Sequence, residues 1–87
     1  MRISENLIMR QIAGEHILIP VGETALKIHG MINLSESAAF LWEKLQKDCT
    51  EEELIAALLT EYDIDRETAA ADVRELVEHM RRIGVLE

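Results

Sequence analysis

The chain is 87 residues long, enough for one domain with a modest core, because a chain of this size buries only about 60–65% of the surface its unfolded form exposes. Hydrophobic residues make up 48% and charged residues 30%, a globular composition rather than a disordered one. Seventeen acidic against 9 basic side chains, a formal net charge of −8, argue against nucleic acid and anionic membrane surfaces, both of which draw on clustered Lys and Arg.

Residues 1–34 are rich in Ile, Leu, Val and Met and read as strands. Leu7 to Ile12 is the first strand, Ala13–Gly14 a turn, and His16 to Pro20 a second strand with an apolar, β-branched centre. Pro20 cannot donate to a ladder and belongs at a strand end or on an edge. From Ala25 to Leu34 the pattern alternates, Leu26, Ile28, Ile32 and Leu34 facing one way and Lys27, His29, Met31 and Asn33 the other. That period of 2 predicts a half-buried third strand. Gly30 marks a bulge or break within it, so two shorter strands also fit.

Residues 35–87 are rich in Ala, Leu, Glu and Arg and read as helices. Asn33 and Ser35 both suit the N-cap of a first helix over 36–47, and Asn33 with Glu36 has the reciprocal capping spacing. Its apolar stripe is Ala38, Leu41, Trp42 and Leu45. Thr50 with Glu53 forms a capping box for a second helix, whose stripe is Leu54, Ala57, Leu58 and Tyr62. Asp65 opens a third helix that runs to about Arg82, lined inside by Ala69, Val73, Leu76, Val77 and Met80 and stopped by Gly84. The expected fold is α+β: an N-terminal three-stranded antiparallel sheet followed by three helices, the outline of a winged helix, in a single domain over residues 1–87.

No catalytic set emerges. The four glycines, at 14, 22, 30 and 84, form no phosphate loop, and no Ser sits in a G-x-S-x-G elbow. His16, His29 and His79 share no ligand spacing with Cys49, so no metal or other cofactor is expected. Cys49 follows Asp48, whose carboxylate disfavours a thiolate, and reads as structural. A lone cysteine points to a reducing compartment. No apolar run approaches the ~18 residues of a membrane helix, and the N-terminus lacks a secretory apolar stretch. The expectation is a cytoplasmic binding module rather than an enzyme.

Three segments resemble the PqqD-like family. In GMINLSESAAFLWEKL, residues 30–45, Leu34, Ser37, Ala38, Leu41 and Trp42 match a strand ending in Leu, a Ser-Ala pair and a Leu-Trp in the first helix. TEEELIAALLTEYDID, residues 50–65, is similar to that family's T-x-x-E-L … Y-D-V run. DVRELVEHMRRIGVLE, residues 72–87, is similar to its closing segment, and Ile19 to Glu23 to its V-P-V-G-E. The order and spacing of these segments, rather than any single motif, carry the resemblance.

The resemblance implies a recognition element for ribosomally made, later modified peptides. The leader of the precursor peptide would add as a strand to the sheet edge beside the third helix, for a modifying enzyme such as a radical S-adenosylmethionine protein or a leader peptidase. Strand addition suits an edge with unpaired backbone groups. On this reading the edge contacts are His29, Met31, Ile32 and Asn33. The groove wall is Asp72, Val73, Leu76 and Met80, with Arg74 or Arg81 as partners for acidic leader residues. Val73, Leu76 and Met80 also stand at core spacing, and Arg81 also suits the helix dipole. An open edge admits a homodimer as well. The same order of elements suits a winged-helix protein-interaction or DNA-binding module, although the third helix sets Arg66, Arg74, Arg81 and Arg82 against Asp65, Glu67, Asp72, Glu75 and Glu78 and so lacks a basic face.

Overall fold

A computed structural model describes all 87 residues. Strands β1 (Leu7–Ile12) and β2 (Glu15–Pro20) form an antiparallel hairpin, in register from Leu7 opposite Pro20 to Ile12 opposite Glu15. The turn is Ala13–Gly14, with φ of 53° and 82°. Two positive φ values make the type I′ turn whose twist matches a two-residue hairpin.

The stretch read as one long strand divides in two. Thr24–Lys27 is a single helical turn, α1, and only Ile32–Leu34 is strand, β3, which pairs with β2 in the sheet order β1-β2-β3. His29 and Met31 therefore precede the strand instead of lying in it. The cause is a long-range clamp. Thr24 is 2% exposed. Its hydroxyl accepts from the Asn6 N–H at 3.0 Å and donates to Glu5 at 3.2 Å, and Lys27 reaches the same carboxylate at 3.3 Å. Ile28 N–H closes the turn on Thr24 O, and Gly30, at φ 85°, redirects the chain into β3. Leu26 and Met31 are left 79% and 65% exposed. The alternation holds only where β3 forms: Ile32 and Leu34 face inward and Asn33 outward.

Helix α2 (Glu36–Lys44) is capped by Ser35, whose Oγ accepts from Ala38 N–H at 3.1 Å; the Asn33–Glu36 reciprocal cap does not form. It ends before Lys47 because the chain tightens, Gln46 N–H bonding to Glu43 O and Lys47 N–H to Lys44 O, both at 3.3 Å. Its buried face holds Ala39, where Ala38 was expected, together with Leu41 and Trp42. The capping box of α3 (Glu51–Glu61) is complete in both directions, at 2.9 and 3.1 Å. In α4 (Arg66–Arg82), Asp65 caps by accepting from Thr68 N–H at 2.8 Å. Gly84, at φ 80°, ends α4 with two return bonds, its own N–H to Arg81 O and Val85 N–H to Met80 O. That Schellman arrangement folds Val85 back into the core.

Leu7, Leu18 and Leu34 bring the inner face of the sheet into one core cluster with Leu41, Trp42 and Leu45, with Leu54 and Leu58 of α3, and with the inner face of α4. Ile17 is also buried but belongs to the opposite face of the sheet, outside that cluster.

Candidate functional site

The hairpin register decides which backbone groups are free at the β3 edge. Val21 N–H donates to Asn6 O at 3.1 Å, one step beyond the Leu7–Pro20 pair. Antiparallel bonding alternates along a strand. On β2, Ile17 and Ile19 therefore bond toward β1, while His16 and Leu18 bond toward β3. Their partners are Leu34 and Ile32. Asn33, between them, turns its N–H and C=O to the open side. The flanking N–H groups of Met31 and Ser35 also find no backbone acceptor. Donors recurring at every second residue match the repeat of an incoming strand.

Beside this edge lies a cleft of about 190 Å³. Asn33, Leu34 and Ser35 form one side, Ser37 and Ala38 of α2 the end, and Asp72, Glu75, Leu76 and His79 of α4 the opposite wall. The four α4 residues follow i, i+3, i+4, i+7 spacing and share one helix face. Ligand pockets for drug-sized molecules start at about 300 Å³, so this cleft suits one long side chain of an extended peptide. Its apolar lining is Leu34, Ala38 and Leu76, of which Leu34 and Leu76 are buried, and its other lining residues are polar.

The structure brings together Asn33, Asp72 and Leu76 from the residues expected at the site. Ile32 is half-buried on the inner face of β3. Val73 and Met80, at 1% and 0% exposure, pack in the core beneath the cleft and offer it no surface. Arg74 and Arg81 stand exposed on α4, about 200° around the helix from Asp72 and His79 respectively, and line no part of the cleft. Neither is therefore placed to meet a side chain seated in this cleft. Sequence reasoning missed Glu75, His79, Ser35 and Ser37. Glu75 and His79 were legible as the i+3 and i+7 positions from Asp72.

Cys49 is half-buried, and burial pushes its thiol up, with Glu53 and Asp48 adding to that against the N-terminal ammonium. No three His, Cys, Asp or Glu side chains gather as a metal site. No helix is long and apolar enough to cross a membrane.

A family model described as coenzyme PQQ synthesis protein D (PqqD) matches residues 15–86. Two solved structures share the fold. One is described as TbiB1 in complex with the TbiA(beta) leader peptide: TM-score 0.74, 24% identity, covering 100% of this chain and 95% of that one. The other is lasso peptide synthetase B1 complexed with the leader peptide: TM-score 0.70, 19% identity, covering 97% of this chain and 93% of that one. No curated protein matches the chain.

Proposed function

The chain belongs to the family of coenzyme PQQ synthesis protein D, and from that premise we propose that it binds the leader of a ribosomally synthesised precursor peptide by strand addition and presents it to a modifying enzyme. The observation that carries this reading is the free backbone of Asn33 beside a cleft sized for one side chain. A peptide laid along β3 gains ladder bonds from the N–H and C=O of Asn33 and the N–H of Met31 and Ser35. Every second side chain then turns toward α4, where Leu76 and Asp72 meet it. Backbone bonds give affinity and the cleft gives selectivity. Ile32 backs the edge from the inner face, and Val73 and Met80 pack in the core beneath the cleft.

Both related structures hold leader peptides, which supports a peptide as the occupant. The acidic wall of the cleft opposes phosphate and so weighs against the DNA-binding alternative. The role is one of binding rather than turnover, in the cytoplasm, with a radical S-adenosylmethionine protein or a leader peptidase as the enzyme served. A homodimer pairing at β3 would occupy the same edge.

Calorimetric titration with the synthetic leader of any small precursor peptide found encoded beside the gene tests this. The expected Kd is about 1 μM or tighter, near −8 kcal/mol, with binding abolished by proline in the central leader residues, which removes ladder donors. No binding to that leader overturns the proposal. Binding indifferent to proline overturns strand addition.

A further inference from the structure

Resting on that reading, we infer that the leader residue seated in the cleft is a lysine or arginine, held by Asp72 and Glu75. Three observations converge. The cleft combines apolar lining from Leu34, Ala38 and Leu76, the two leucines buried, with two carboxylates from its α4 wall. This combination fits a side chain with a long aliphatic stem and a cationic head, which covers apolar surface with the stem and brings the charge to the carboxylates. Next, those carboxylates are uncommitted. The four ion pairs of the molecule join Met1 to Asp48, Arg2 to Glu87, Lys27 to Glu5 and Arg66 to Glu52, none of them at the cleft.

Of the arginines of α4, Arg66 is paired with Glu52, Arg82 lies two turns beyond Glu75 and outside the cleft lining, and Arg74 and Arg81 point elsewhere. Arg74 and Arg81 are seven residues apart, so they share a face, and that face lies about 160–180° around the helix from Asp72 and about 100–120° from Glu75. No lysine or arginine of this chain lines the cleft. An incoming ammonium or guanidinium would supply the missing charge, and a charge-assisted bond is roughly twice as strong as a neutral one. The formal net charge of −8 draws the same class of peptide over longer range.

The test is selection of a display library of random short peptides against the full chain, followed by titration of the strongest binder. The expected outcome is enrichment of Lys or Arg at one fixed position. Replacing that residue by norleucine, which keeps the stem and drops the charge, should weaken binding about tenfold at low salt and less at high salt. In the Asp72→Asn/Glu75→Gln protein the two peptides should bind alike. The Glu75→Lys protein should turn preference toward an acidic residue at that position, which keeps the test informative where the double variant folds poorly. Binders with no basic residue, or equal affinity for lysine and norleucine peptides in the unaltered protein, overturn this inference and leave strand addition standing. A library that yields no binder overturns both.

Discussion

Asn33 stands opposite Ile17 in the β2–β3 register, and this pairing turns the Asn33 backbone out of the sheet. Ile17 spends its own N–H and C=O on β1, so neither residue bonds the other. A one-residue slip would commit Asn33 to β2 and offer Ile32 and Leu34 to the edge, moving their side chains out of the core. The hydrophobic pattern that buries Leu34 thus also selects which peptide groups are free.

Proline at Asn33 should therefore separate binding from folding. Asn33→Pro removes an N–H that β2 does not use, in an edge strand where proline is tolerated. Leader affinity should fall about tenfold or more, the worth of one ladder bond plus local misfit. The melting temperature should drop much less than in Ile32→Pro, which deletes a bond to β2. Asn33→Ala should bind nearly as the unaltered protein does. Equal losses of binding for Ala and Pro would place the contact in the side chain.

The helical turn at α1 makes a second expectation. Leu26 is 79% exposed, so Leu26→Ser should change stability by no more than about 0.5 kcal/mol. In a half-buried strand the same change would cost several times that. Thr24→Val should be the damaging one, since it leaves Asn6 N–H without its acceptor at a cost of about 1–3 kcal/mol. Urea denaturation of both variants reads the difference.

These two cases mark where local sequence suffices. The Ala13–Gly14 turn, the Thr50–Glu53 box and the Gly84 stop were legible because each is decided within about five residues. The inner face of α4 was legible because Ala69, Val73, Leu76, Val77 and Met80 repeat at helical spacing and all are buried. The stretch from Ala25 to Met31 was not, because what holds it is a pair of long-range hydrogen bonds at Thr24, whose hydroxyl accepts from the Asn6 N–H and donates to Glu5. Asn33, Asp72 and Leu76, expected at the site from sequence, line the cleft, but helical periodicity cannot say where the core face of α4 ends and the groove begins. Val73 and Met80 fall on the near side of that line, Glu75 and His79 on the far side.

Trp42 offers a third expectation. It is 7% exposed, and its indole N–H has no acceptor. An unpaired buried donor opposes the packing gain of the ring. Trp42→Phe should accordingly cost less than about 1.5 kcal/mol, against about 3–5 kcal/mol for Trp42→Ala. A Phe variant as unstable as the Ala variant would mean that the indole N–H is satisfied in solution, by a water or by movement of α2.

Acid should loosen the start of α4. Hydrogen bonding by Thr68, its side chain foremost and then its backbone N–H, holds the Asp65 carboxyl below its ordinary 3.8. A carboxylate depressed on folding contributes stability that is complete above its unfolded value and lost as pH falls through the lower, folded one. Asp48 is depressed as well, through its bond to the N-terminal ammonium, and acts in the same direction. Thermal melts should thus be flat in this contribution above about pH 5 and fall below pH 4. Asp65→Asn keeps a capping oxygen but removes the titration. It should flatten part of the acid slope while leaving the neutral melting temperature close to that of the unaltered protein. An unchanged slope in Asp65→Asn would assign the acid sensitivity to other carboxylates, Asp48 first among them.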